Sequence, residues 1–98
     1  MGGRSGQRRR HPYRLAIDPE ADRAFGSLKS TLNSCFHELT RFMDSLRDNP
    51  IVGEPMTGEW AGYRRAHVCR DRYRIVWEIA EDAVYVERIG LRRNVYDS

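Results

Sequence analysis

Apolar residues recur along this chain with two different periods, and the change of period marks its elements. Tyr13-Arg14-Leu15-Ala16-Ile17 alternates weakly and ends on a β-branched residue, predicting a short first strand over 13–17. Asp18-Pro19-Glu20 then starts a helix. Asp18 can accept hydrogen bonds from the free amides, Pro19 loses nothing by lacking an N–H in the first turn, and Glu20 and Asp22 complement the helix dipole. Ala21, Ala24, Phe25 and Leu28 fall on one face, while Gly26 costs about 1 kcal/mol relative to alanine, so packing must hold this helix. Leu32, Cys35, Phe36, Leu39, Phe42, Met43 and Leu46 recur at spacings of three and four, predicting a second helix capped by Ser30 or Thr31. It stops at Asp48-Asn49-Pro50, because a residue before proline is pushed out of helical geometry.

Beyond Pro50 the period falls to two. Residues 50–59, with two prolines and two glycines, predict a loop. Strands follow over Trp60–Cys69, Arg72–Ala80 and Ala83–Ile89, with turns at Arg70-Asp71 and Glu81-Asp82. In the middle strand Tyr73, Ile75, Trp77 and Ile79 face one way and Arg74, Val76 and Glu78 the other. Strand, helix, helix and a three-strand antiparallel meander make an α+β layout, with the helices packed on one face of a small sheet. The other face is then partly open and carries Arg74. Trp60, Tyr73 and Trp77 read as core aromatics.

With 98 residues, 40% hydrophobic and 32% charged, the chain suits one modest core over residues 12–98. Residues 1–11 have no apolar period and read as a disordered basic arm. No run approaches the ~18–20 apolar residues of a membrane span, and Arg8-Arg9-Arg10 leads into no apolar run, so a cytoplasmic protein is expected. Cys35 and Cys69 lie 34 residues apart without a CxxC or zinc-ligand pattern, and Cys35 on the apolar stripe reads as a buried structural thiol. His11, His37 and His67 are scattered, so no metal or other cofactor is expected.

The net charge of +3 hides segregation. Residues 1–14 carry five arginines and no acid, and residues 64–74 carry Arg64, Arg65, Arg70, Arg72 and Arg74 against Asp71 alone. Of the 17 basic residues, 16 are arginine, whose planar fork suits phosphate. A polyanion-facing surface follows as one reading, a solvated or ion-paired face as the other.

These residues resemble the RelE/ParE superfamily of bacterial type II toxins. The carriers are Asn49-Pro50, Gly58, Gly62-Tyr63-Arg64, Tyr73-Arg74-Ile75-Val76-Trp77 before an acidic turn, and Ile89-Gly90-Leu91-Arg92-Arg93-Asn94-Val95-Tyr96, in order over residues 13–96. The resemblance implies a toxin neutralised by a cognate antitoxin. RelE-like members cut mRNA in the ribosomal A site, and ParE-like members share the fold but poison DNA gyrase. The first activity is the leading expectation, gyrase inhibition the alternative, and a degenerate member that only binds antitoxin or RNA the third. Carried over by motif, the basic positions of the active face fall on Arg64, Arg74 and Arg92, and the closing tyrosine on Tyr96. Two departures stand out. Leu91 occupies a position that often holds histidine or another basic residue, and Ala66 replaces a base used by some members, with His67 next to it.

Metal-free RNA cleavage needs a base for the 2′-hydroxyl, positive charge on the crowded phosphorane, and a proton for the leaving 5′-oxygen. Arg64, Arg74 and Arg92 can supply charge, but arginine does not deprotonate. Tyr96 can act as acid or base beside guanidiniums or stack on a base, and His67 is the meander's only other group titrating near neutrality. The candidate set is therefore Arg74, Arg92, Tyr96 and His67 for catalysis, with Arg64, Arg65 and Arg93 for phosphate.

Overall fold

A computed structural model describes residues 12–30 and 33–91. The basic arm at 1–11, Thr31 and Leu32, and the closing 92–98 with Arg92, Arg93 and Tyr96 lie outside the described residues. The elements are β1 (Arg14–Ile17), α1 (Pro19–Ser30), α2 (Cys35–Asp48), β2 (Glu54–Pro55), a 3₁₀ turn (Gly58–Trp60), β3 (Tyr63–Val68), β4 (Tyr73–Ala80) and β5 (Ala83–Leu91). They form one five-stranded sheet in the order β1-β5-β4-β3-β2. The predicted meander β3-β4-β5 is its centre, antiparallel throughout. β1 joins parallel to β5, and the two-residue β2, in a segment read as loop, pairs antiparallel with β3.

The first helix starts as expected. The Glu20 N–H donates to Asp18 Oδ2 at 3.0 Å. The second starts later than the apolar period suggested, at Cys35; Ser30 ends α1 with its hydroxyl donating to the Ser27 carbonyl at 3.2 Å, and Thr31 lies outside the described residues. Asn33 Oδ1 accepts from the Cys35 N–H at 2.8 Å, doing for this helix what Asp18 does for α1. Ring contacts then lock the layers. Phe25 stacks on Phe36 at 4.6 Å between the helices, and Phe42 meets Trp77 edge-on at 5.6 Å between α2 and β4. Leu39, Leu46, Ile75, Trp77, Val84 and Val86 have no exposed surface at all. A buried leucine or valine contributes about 1.5–3 kcal/mol, and the indole N–H of Trp77 meets the Pro50 carbonyl at 3.0 Å, so it carries no unmet polar cost.

The loop before β3 runs close over that tryptophan. Gly53 has φ +71, and a Cβ there would sit 2.2 Å from the Arg65 carbonyl oxygen and 3.1 Å from the Trp77 ring. Only glycine fits, for both conformational and steric reasons.

Trp60 departs from the core reading. It meets Tyr63 edge-on at 5.1 Å and carries the Arg88 guanidinium 5.4 Å above its ring, on the face of the sheet away from the helices. The two cysteines depart further: Cys35 and Cys69 form a disulfide with their Cα atoms 5.7 Å apart. Their spacing in sequence hid this, because only folding brings the first residue of α2 against the turn between β3 and β4.

Replacing Gly53 with alanine should lower stability by about 2–4 kcal/mol, from left-handed strain plus overlap with rigid backbone. Urea denaturation checks it; a midpoint equal to that of the parent protein contradicts the close approach.

Candidate nucleic-acid interface and acid–base site

Strand alternation divides the arginines. β3 and β4 pair His67 with Arg74, Arg65 with Val76 and Tyr63 with Glu78 on the face away from the helices. β5 adds Gly90 beside Arg74, Arg88 beside Val76 and Tyr85 beside Glu78. Arg64 pairs with Trp77, on the helix side. Its Nε donates to the Val52 carbonyl at 2.8 Å and a terminal nitrogen reaches the Gly53 carbonyl at 3.5 Å. Arg64 therefore pins the loop and does not join Arg74, contrary to the grouping expected from sequence. A side chain one residue away along a strand points to the opposite face.

Arg65 shares the face with Arg74 and is held by Glu54, at 2.9 Å and 3.0 Å. The centre of the face is Arg74 itself, only 9% exposed. Its terminal nitrogen lies 2.7 Å from His67 Nε2, and His67 Nδ1 lies 2.5 Å from Asp71 Oδ1. A guanidinium only donates, so Nε2 must accept, and the ring proton sits on Nδ1, donated to Asp71. The result is an ordered line of carboxylate, imidazole and guanidinium. Asp71, which sequence reasoning left as a turn residue, is the member it missed. The i, i+4 spacing of His67 and Asp71 across a hairpin turn was the available signal.

The turn that presents Asp71 is unusual. Cys69, Arg70 and Asp71 all have positive φ, at 58°, 58° and 69°. Side-chain-bearing residues hold this region only when their surroundings over-determine it. Here the Cys69 N–H donates to Glu38 Oε2 at 2.8 Å, the Arg72 N–H to the Cys69 carbonyl at 3.2 Å, and the disulfide ties the turn to α2.

Farther down the same face the charge reverses. Loss of hydration first, then the charges of Glu78 and Glu87, raise the Tyr63 phenol above its ordinary value. Loss of hydration, then Asp18 and Glu87, do the same for Tyr85, whose hydroxyl meets Asp18 Oδ1 at 3.4 Å. The face is thus basic at the Arg74 end and acidic with phenols at the other. β5 ends with Leu91 opposite Tyr73, at the basic end. Arg92, Arg93 and Tyr96, which complete the sequence-predicted site, lie outside the described residues.

Comparison with known proteins places this architecture. A YoeB/ParE toxin from Agrobacterium tumefaciens superposes with a TM-score of 0.73 at 15% identity, covering 80% of this chain and 96% of that one. The chain carries the fold of the RelE/ParE toxins. The RelBE2 toxin–antitoxin complex from Mycobacterium tuberculosis matches at a TM-score of 0.67 and 25% identity, over 83% of this chain and 99% of the other. The E. coli DinJ–YafQ toxin–antitoxin complex matches at 0.71 and 18%, over 87% and 98%. No protein-family model and no curated protein matches the sequence. The α+β layout expected from the RelE/ParE resemblance is the one observed, with β1 and β2 widening the meander to five strands.

Two measurements check the site. Nitrogen-15 spectra should show the neutral His67 ring carrying its proton on Nδ1 with Nε2 bare, and a dominant Nε2–H tautomer contradicts the Arg74 contact. In a spectrophotometric titration Tyr63 and Tyr85 should ionise above the ordinary phenol value near 10. A pKa raised by folding stabilises the native state below the unfolded value, and this contribution is lost as pH rises through the folded value. Stability should fall above pH ~10, and phenylalanine at both positions should flatten that fall.

Proposed function

We propose that this protein is the toxin of a toxin–antitoxin pair and cleaves mRNA as a RelE-like, ribosome-dependent endoribonuclease. The observation that carries the reading is the Asp71–His67–Arg74 line on the basic end of a RelE/ParE sheet. His67 Nε2 is the acid–base atom. In the free protein its lone pair faces Arg74. An incoming phosphodiester competes for that guanidinium as a bidentate partner, and the move leaves Nε2 open to a 2′-hydroxyl. The hydroxyl oxygen then attacks phosphorus while its proton passes to Nε2. Asp71 holds the ring tautomer and stabilises the imidazolium that forms, and Arg74 stabilises the phosphorane charge. The P–O5′ bond breaks to leave a 2′,3′-cyclic phosphate and a 5′-hydroxyl, with Tyr96 as the candidate proton donor. Arg92 is the candidate that joins Arg74 in stabilising the phosphorane charge, and Arg93 is a candidate phosphate ligand. Arg64 supports the fold and Arg65 answers to Glu54.

The same superposition supports an antitoxin as partner, since the matched structures include toxin–antitoxin complexes from M. tuberculosis, E. coli and Staphylococcus aureus. Work on translating ribosomes sets the site of action in the cytoplasm. Binding-only inhibition of gyrase is the second reading. Leu91, which replaces a frequent basic position of the closing motif, favours it, whereas an ordered acid–base line has no task in a pure binder.

Arg74→Ala should cut cleavage of ribosome-bound mRNA by about 10²–10³-fold, and His67→Gln by about 10²–10⁴-fold. Arg64→Ala should cost about 1–2 kcal/mol of stability through unpaired carbonyls and leave cleavage intact. Primer extension on mRNA after expression without antitoxin reads the outcome. Growth arrest with intact mRNA and blocked supercoiling moves the assignment to gyrase.

A further inference from the structure

The Cys35–Cys69 disulfide belongs to no step of that reaction, yet it sits against the residues that perform it. Cys69 lies two residues from His67 on one side and two from Asp71 on the other, and its partner is the first residue of α2. Beside the bond opens a pocket of about 330 Å³, lined among others by Asn33, Glu38, Arg70, Arg72 and both cysteines. Arg70 and Arg72 are exposed at its rim, Cys69 is half-buried and Cys35 is buried.

We propose that Cys35–Cys69 is a thiol-exchange site for a small, carboxylate-bearing thiol, and that its oxidation state switches the assembly of the Asp71–His67–Arg74 line. The anionic thiol enters through the pocket, drawn by Arg70 and Arg72. Its thiolate attacks Cys69 Sγ, forming a mixed disulfide, and the S–S bond electrons leave on Cys35 Sγ. That thiolate is born at the positive end of a 14-residue helix, where such an anion is favoured. A second thiolate attacks the mixed disulfide and releases Cys69. Two electrons and two protons have then passed from two small thiols, now joined as a disulfide, to the cysteine pair.

The consequence follows from the turn. Three successive left-handed residues are held by the crosslink, the Glu38 contact and the Asp71–His67 bond. Without the crosslink the turn relaxes out of that conformation and carries Asp71 off the imidazole. The oxidised protein is the assembled state. Cellular cytosol keeps most thiols reduced, so oxidation is the signal that completes the site. The effect on cleavage rests on the activity proposed above, whereas the structural switch does not.

The experiment follows the full chain with and without tris(2-carboxyethyl)phosphine. In the oxidised protein the His67 Nδ1–H signal should be sharp. Reduction should remove it and speed amide exchange at residues 70–72 at least about tenfold, while amides of Leu39 and Trp77 stay protected. Cys35→Ala/Cys69→Ala should reproduce the reduced spectrum and ignore the phosphine; if that variant does not fold, the reduced parent protein decides alone. Glutathione should open the bond on the order of tenfold faster than uncharged mercaptoethanol of equal thiolate concentration, and Arg70→Ala/Arg72→Ala should erase that advantage. Equal His67 spectra in both redox states overturn the switch, and equal rates for the two thiols overturn the ligand class. Cleavage should fall at least about tenfold on reduction; absence of cleavage in both states refutes the nuclease activity and leaves the spectra to judge the switch.

Discussion

The constraint on which this molecule depends is the burial of β4 from both sides. Ile75 and Trp77 point to the helices and have no exposed surface, while Val76 points the other way and has none either. A strand in that position cannot slip by one residue without driving Arg74 into the apolar layer. Pairing with β3 and β5 then follows, and with it the row His67–Arg74–Gly90 that forms the basic end of the far face. The same alternation that commits Trp77 to the core commits Arg74 to the site.

Arg74 is a nearly buried cation, and such a group persists only where partners answer it. His67 Nε2 answers it from the neighbouring strand, and Asp71 in turn answers His67. The order of the three is dictated by donor chemistry, because a guanidinium can only give and a carboxylate only receive. Positioning Asp71 requires a turn that ordinary residues avoid, so the hairpin stores strain where the acid–base group sits. The ties that resist it come from α2, through Glu38 and the disulfide. The helical layer thus supports the site through the turn as well as the sheet.

Arg64 and Arg65 show how adjacent residues of one charge take different work. Arg64 lies over the helix-side loop and donates to the Val52 and Gly53 carbonyls, next to the position that tolerates only Gly53. Arg65 faces the basic row but meets Glu54 at the sheet edge. Trp60, expected in the core with Tyr73 and Trp77, instead lies with Tyr63 and Arg88 over the opposite face. On that face Arg65 and Arg88 flank the buried Val76 from the two neighbouring strands.

By itself the sequence determined the helices, the order of the three long strands, the sidedness of β4 and the concentration of arginine between residues 64 and 74. All of these are periodicities or local signals, such as Asp18-Pro19 and Asn49-Pro50, that act over a turn or a strand. Only the tertiary structure decided that β1 lies parallel on β5, that Cys35 meets Cys69, that Arg64 parts from Arg74, and that Asp71 closes on His67. Each of these joins groups through strand register, the hand of a turn, or contacts between segments far apart in the chain. Such relations are set by which buried surfaces fit together, and no local pattern of residue types encodes that fit.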